Sequence, residues 1–261
     1  MASERSIKVT IVNRYYPNSV TGESAFELVN FLESNSAVID VNSISVNSQY
    51  KGNKKSVKEN EGNYYIPSFY HGNKKFFRLL ANLYEGYSLI KKAKNINSDL
   101  VICLTDPPLV NFWAAILLKN NTPWILWSMD VYPDAFNAAG LVGENNFILR
   151  YLKRKIKKNS PNYLIALGDS QNSYLKNGFN DSIQNTFILP CGIHEEKSSK
   201  DKPVWYDESK ITFAYAGNLG EAHSDRFLKN VIENLDPVKH QLILSVYGSK
   251  SSNIIRLIDN Y

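Results

Sequence analysis

Short apolar runs alternate along the chain with amphipathic stretches of helical period. Ile7–Val12 reads as a strand, and Ser24–Leu32 as a helix in which Phe26, Leu28, Val29 and Leu32 share a face. Val38–Val46, Tyr64–Pro67, Leu100–Leu104 and Trp124–Trp127 read as further strands. So do Tyr163–Leu167, Thr186–Leu189, Gln241–Tyr247 and Ile211–Ala216, the last apolar enough to be a buried strand. Phe76–Lys94 predicts a strong amphipathic helix, Leu109–Leu118 a nearly all-apolar one, and Asn145–Lys158 a basic one. A helix-like stretch also runs from about Ser224 to Leu235. Tyr15–Gly22 and the polar, lysine-rich Ser48–Asn63 are loops. Helices between short apolar strands predict an α/β fold with parallel sheets and right-handed crossovers.

The polar run Glu195–Lys202, followed by Pro203, places the best boundary at Gly192–Tyr206. Two domains follow: a Rossmann-like one over 1–205 and a smaller one over 206–261. The second offers two strands and up to two helices, a sheet that buries little apolar surface and is marginal alone.

Composition narrows the function classes. An apolar content of 43% supports real cores. A formal charge of +5 is too small to imply nucleic acid, but it suits anionic small molecules or an anionic membrane face. Cys103 and Cys191 show neither metal-ligand nor disulfide spacing, which points to a reducing compartment and a cytoplasmic location. The N-terminus has no signal-peptide core, and no run approaches the roughly 18–20 apolar residues that span a bilayer. No Asp-X-Asp pair suggests a metal site.

Candidate chemistry gathers at strand ends. After Ile211–Ala216 comes Gly217-Asn218-Leu219-Gly220, read as a turn, and then a helix. Strand, glycine turn and helix together present free backbone N–H groups at a positive helix end to an anion. The first thirty residues carry a similar arrangement, with Gly22 in the loop. Two such units suggest two nucleotide-fold halves facing one cleft. His223, just past the second turn, either donates to phosphate or is a surface histidine. Asp130 lies at a strand end, where open α/β sheets place their ligands. It either orients a substrate hydroxyl or caps a turn. Tyr15, Tyr16, Trp127 and Tyr132 stack on a ligand or fill space. Asp106, before two prolines, reads as a turn former. In Asn145–Lys158, the stripe Ile148, Leu149, Leu152 and Ile156 either rests on an anionic leaflet or packs on the sheet beneath a solvated charged face.

Several segments, taken in order, then resemble one family. They are Asn13-Arg14-Tyr15-Tyr16-Pro17 with Thr21-Gly22-Glu23, Thr105-Asp106-Pro107-Pro108, and Trp127-Ser128-Met129-Asp130-Val131-Tyr132-Pro133. Leu189-Pro190-Cys191-Gly192-Ile193 and Tyr215-Ala216-Gly217-Asn218-Leu219-Gly220 complete the set. Together they resemble the GT-B glycosyltransferases of the family 4 type, which build bacterial surface polysaccharides. Thr21 stands where that family usually has a second glycine, and Cys191 where it has an asparagine.

The resemblance implies a GT-B-like fold and transfer of a sugar from a nucleotide-sugar donor to a glycan or lipid-linked acceptor, with retention. It implies no metal and no cofactor. The donor falls to Gly22, Gly217, Asn218, Gly220 and His223, and the acceptor to Tyr15, Tyr16, Glu23 and Tyr132, with Asp130 catalytic. A lipid-linked acceptor would favour a peripheral position at the inner membrane face through 147–158. The family's paired glutamates and closing helix would lie beyond Tyr261, so 206–261 is expected to be an incomplete donor-binding domain. A non-catalytic subunit that binds an acceptor, a membrane or a partner chain is the alternative. A nicotinamide-dependent oxidoreductase fits less well, because neither glycine loop has the Gly-X-Gly-X-X-Gly form.

Overall fold

The computed structural model describes residues 6–15, 22–35, 39–47, 62–68, 70, 74–118, 121–179, 182, 183, 185–190, 202, 204–220 and 223–258. The chain divides into two compact units, Met1–Gly192 and Ile193–Tyr261.

The first unit opens with β1 (Ile7–Val12), α1 (Glu23–Asn35), β2 (Ile39–Val46), β3 (Asn63–Ile66) and α2 (Lys75–Asn95). It continues with β4 (Leu100–Cys103), α3 (Val110–Leu117), β5 (Trp124–Ser128), α4 (Asp134–Ala138) and α5 (Phe147–Lys158). β6 (Tyr163–Ala166), α6 (Asp169–Gly178) and β7 (Asn185–Ile188) complete it. The sequence pattern does not announce α4 or α6. The first has only five residues, and the second buries a single side chain, Leu175.

The seven strands form one sheet in the order β3-β2-β1-β4-β5-β6-β7, and every pair is parallel. Period-two alternation divides their side chains between two cores. Val101, Cys103, Trp124 and Leu126 face the core shared with α2, α3 and α5. Ile11, Ile102, Leu104 and Trp127 face the one that takes Ala25 and Val29 of α1. From β1 the chain runs outward to β2 and β3, then returns to lay β4 on the other side of β1. That reversal is the topological switch point, where open parallel sheets leave a crevice at their carboxyl ends.

α2 and α3 approach closely at Gly86. A Cβ there would meet Trp113 Cδ1 at 2.9 Å. The indole cannot turn aside easily, because its ring lies edge-on to both Tyr87 and Phe112, with centroids 5.3 and 5.2 Å away. Gly86→Val is therefore expected to lower stability by about 1–3 kcal/mol, read as a shift of the urea midpoint. A midpoint unchanged from wild type would show that the helices separate freely here.

In the second unit β8 (Ile211–Asn218) and β9 (His240–Tyr247) pair in parallel, with Ile211 opposite His240. α7 (Asp225–Asn234) and α8 (Ser251–Ile258) place Leu228 and Ile254 in a small core with Leu219. Two expectations are corrected here. Ile211–Ala216 is not a buried strand within this unit: Ile211 is 62% exposed and Phe213 44%. The two helices cover one face of a two-stranded sheet, so an apolar run can form without a second layer over it. Gly217 and Asn218 are also not turn residues. They are the last two residues of β8, opposite Val246 and Tyr247.

Among the described residues, no helix is long and apolar enough to cross a membrane.

Candidate functional site

The carboxyl ends of β1, β4 and β5 meet at the switch point, and the backbone ties them together. Leu104 N–H donates to Val12 O at 3.0 Å, and Arg14 N–H to Asp106 O at 2.7 Å. Asn13 N–H donates to Ile44 O at 3.2 Å, and Val46 N–H to Arg14 O at 2.8 Å. The chain leaving β1 is thus held between the ends of β2 and β4, which fixes where Arg14 points.

The Arg14 guanidinium lies 2.8 Å from a Glu85 oxygen and 3.4 Å from Asp106. It also donates to the side-chain oxygen of Asn82. Asn82 and Glu85 come from α2, and Glu85 accepts from Ser68 Oγ at 2.6 Å. The Arg14–Glu85 pair is largely removed from water, with side chains 14% and 4% exposed. Burial opposes the Arg14 charge, but Asp106 and Glu85 outweigh it and hold the guanidinium above its usual range.

Asp106 sits where these charges meet. Burial pushes its carboxyl up to about 6; Arg14 pulls it down, while Glu85 and Asp130 push it further up. Asp130 is held through its backbone: its N–H donates to Thr105 Oγ1 at 2.9 Å, and its carbonyl accepts from Ser128 Oγ at 3.0 Å. This leaves the Asp130 carboxyl at the rim, raised by burial. The Tyr132 carbonyl accepts from Asn111 Nδ2 of α3 at 2.9 Å, and its ring lies 5.1 Å from that of Phe136. Burial, then Asp130 and Asp106, push the Tyr132 phenol up to about 12 against Arg14. The Arg14 guanidinium carbon stands 5.8 Å from the centre of the Tyr15 ring. The Asp106–Pro107 and Tyr132–Pro133 peptide bonds are both cis.

The structure thus gathers Tyr15, Asp130 and Tyr132 around an Arg14–Asp106–Glu85 group that sequence reasoning left out. Asp106, read there as a turn former, is an ion-pair partner with a perturbed proton. Gly22 is buried at the start of α1, where its carbonyl accepts from Phe26 N–H at 3.0 Å. Glu23 is exposed in the first turn of α1. Tyr16 lies outside the described residues. One signal pointed to Glu85: it stands between Ala81 and Leu89 on the buried line of α2, the single acid of that helix.

In the second unit, Asn218 and Gly220 lie at the carboxyl end of β8, beside the end of β9. Leu219 N–H donates to Tyr247 O at 2.6 Å, and Lys250 N–H to Leu219 O at 3.0 Å. Lys250 Nζ reaches the His223 carbonyl at 2.7 Å, and His223 itself is exposed. The glycine that close packing requires here is Gly248. Its φ is +108°, and a Cβ would lie 2.8 Å from the Leu219 carbonyl oxygen. Around Gly217, whose φ is +156°, the space is open.

No family model matches the chain. It is 22% identical over 182 residues to the "Probable glycosyltransferase WbjE" of Pseudomonas aeruginosa, an alignment covering 65% of this chain and 44% of that protein. The chain thus spans less than half the length of this curated relative. Among solved structures it is similar to "Trehalose-6-phosphate from E. coli bound with UDP-2-fluoro glucose", with a TM-score of 0.60 and 13% identity over 97% of this chain and 68% of that one. It is also similar to the sucrose-phosphate synthase of Thermosynechococcus elongatus, with a TM-score of 0.51 and 11% identity over 92% and 70% of the two chains. These likenesses establish the fold as α/β of the GT-B type, with a seven-stranded parallel sheet in the first unit.

Proposed function

We propose that the chain acts in glycosyl transfer, moving a sugar from a nucleotide-sugar donor to a glycan or lipid-linked acceptor in polysaccharide biosynthesis, with retention. The observation that carries this reading is the ionic group Arg14–Asp106–Glu85, with Asp130 and Tyr132 beside it, at the switch point of a GT-B sheet.

In this reading the acceptor lies against Tyr15, Tyr16, Glu23 and Tyr132. Its hydroxyl is oriented and polarised by Asp130, with Asp106, whose carboxyl burial pushes up to about 6, as a second carboxylate beside it. The acceptor oxygen bonds to the anomeric carbon on the face from which the diphosphate departs, as the bond from that carbon to the diphosphate breaks; the diphosphate leaves with the electron pair and its departing oxygen takes up the hydroxyl proton. The motif resemblance assigns donor binding to Gly217, Asn218, Gly220 and His223 in the second unit and to Gly22 in the first, where fixed backbone dipoles suit an anion. Retention and the polysaccharide pathway rest on the motif resemblance, and the donor class on that resemblance and on the likeness in fold to a structure bound with UDP-2-fluoro glucose. A cytoplasmic position at the inner membrane face, with 147–158 meeting an anionic surface, belongs to the same reading.

Titrating the chain with a panel of nucleotide sugars tests it. Saturable binding of one donor is expected. Asp130→Asn is expected to keep that binding while losing transfer by about 10²–10⁴-fold. Binding of no nucleotide sugar, or transfer unchanged in the variant, would overturn the assignment.

A further inference from the structure

The switch point is short of positive charge. Arg14 is the cation that acts on Asp106, and it also answers Glu85. Glu85 takes the larger share: it lies 2.8 Å from the guanidinium with both side chains largely out of water, while Asp106 stands at 3.4 Å. Among the described residues no cation offsets Asp130. With Arg14 against Glu85, Asp106 and Asp130, the four groups carry a formal charge of −2, in a chain whose formal charge is +5.

The two carboxylates left short of a partner are also the two that a ligand can reach. The Asp106 side chain is 32% exposed and Asp130 is exposed, against 4% for the Glu85 side chain. They are held side by side. Asp130 N–H donates to the hydroxyl of Thr105, the buried residue before Asp106, and the charge of Asp130 acts on the Asp106 carboxyl. Arg14 N–H fixes the Asp106 carbonyl from the other side. The half-buried Tyr132 stands close enough for both aspartates to act on its phenol. Carboxylates beside an aromatic ring suit an ammonium group, which is drawn to both.

Other ligands answer this arrangement less well. An anionic group meets like charge. A neutral hydroxyl finds acceptors but leaves the charge uncompensated. A divalent metal ion asks for several oxygen ligands, and among the described residues no group of three or more His, Cys, Asp or Glu side chains is placed to hold one.

We infer that the acceptor presents a protonated amine beside its reacting hydroxyl, with Asp106 receiving the amine and Asp130 the hydroxyl. Adjacent carbons of a 2-amino sugar carry this pair of groups. The inference rests on the acceptor reading of this site and names the charge of what enters it. It makes Asp106 a residue of specificity as well. The carboxylate that draws an amine turns away a uronic acid or a phosphorylated sugar at the same position.

The test titrates the chain near neutral pH, without donor, with the methyl glycosides of glucosamine, N-acetylglucosamine and glucuronic acid, followed by NMR. The glucosaminide is expected to bind at least about tenfold more tightly than the N-acetyl form, because a hydrogen bond between charged partners is worth more than one to a neutral amide. The glucuronide should bind most weakly, and added salt should narrow both gaps. Asp106→Asn should bring the amine and N-acetyl forms together and relieve the glucuronide, with thermal melting to show that the variant is folded. Equal binding of the amine and N-acetyl forms, a glucuronide bound as tightly as the glucosaminide, no glycoside bound, or an amine preference unchanged in folded Asp106→Asn would overturn the inference. Nucleotide-sugar binding is measured separately on the same protein. Saturable donor binding with no amine preference sinks this inference and leaves glycosyl transfer standing, while amine preference without donor binding does the reverse.

Discussion

Arg14→Met is expected to destabilise the first unit by about 3–5 kcal/mol, the usual cost of removing one partner from a buried ion pair. The figure is large because little can take Arg14's place. Glu85 is 4% exposed in its side chain and would keep the Ser68 hydroxyl, while Asn82 and Asp106 would lose their guanidinium partner. Backbone bonds also hold this corner, so the side chain cannot simply be replaced by moving the chain. The double variant Arg14→Met with Glu85→Gln removes the stranded charge and should recover part of the loss, giving a coupling well above the noise of a double-mutant cycle. Urea unfolding of the four proteins measures both effects. A loss below about 1 kcal/mol for Arg14→Met would place the pair among weak surface contacts and contradict its buried geometry.

Asp106→Asn should change both activity and the pH dependence of stability. The Asp106 carboxyl at about 6 lies above the roughly 3.9 of an unfolded aspartate, so the folded chain holds this proton more tightly than the unfolded one. The stability that proton contributes is fully present below about pH 4 and is lost as pH rises through about 6. Asparagine cannot ionise, so between those values the unfolding free energy of the variant should rise relative to wild type. Under the proposed function, transfer needs the ionised pair. The wild-type rate should therefore fall on the acid side with a midpoint near 6, and the variant should lack that limb and lose about 10²–10⁴-fold at neutral pH. Rate profiles and urea melts at matched pH measure both. An acid limb that survives in Asp106→Asn would assign the proton elsewhere, with Asp130 as the next group to examine.

The layout of the fold was legible because period-two strands and 3.6-period helices follow each other with little ambiguity. β1, α2, α3, β5 and α5 fall close to where the pattern puts them. α6 was missed because its sequence, DSQNSYLKNG, buries only Leu175 and carries almost no periodic signal. Ile211–Ala216 misled in the other direction: hydrophobicity specified a strand, while burial depends on what stacks over it. Of the residues gathered at the switch point, Asp130 was singled out because it lies at a strand end of a parallel sheet, and Tyr15 and Tyr132 by their rings and by the motif resemblance; what they bind is part of the proposed function. Glu85 was not singled out, since it belongs to a helix that otherwise reads as amphipathic and basic. Its role appears only when Arg14, 71 positions earlier, is brought against it. Asp106 was hidden by its own neighbours, because an acid before two prolines is most simply explained as a turn. In the second unit, Gly248 was passed over in favour of Gly217, yet Gly248 is the one enclosed by backbone atoms.

The contact of Gly86 with Trp113 sets a limit on how this site can vary. Gly86 follows Glu85 on α2, and Trp113 lies two residues after Asn111 on α3. Glu85 holds Arg14, and Asn111 holds the Tyr132 carbonyl. The two helices therefore act as the jaws of a single clamp with no play between them. A change that spreads the jaws would shift a cation on one side and an aromatic platform on the other in the same motion. Under the proposed function, substrate preference would then be altered more readily from the loops carrying Tyr15 and Asp130 than from the clamp, where a gain in fit would also disturb the scaffold.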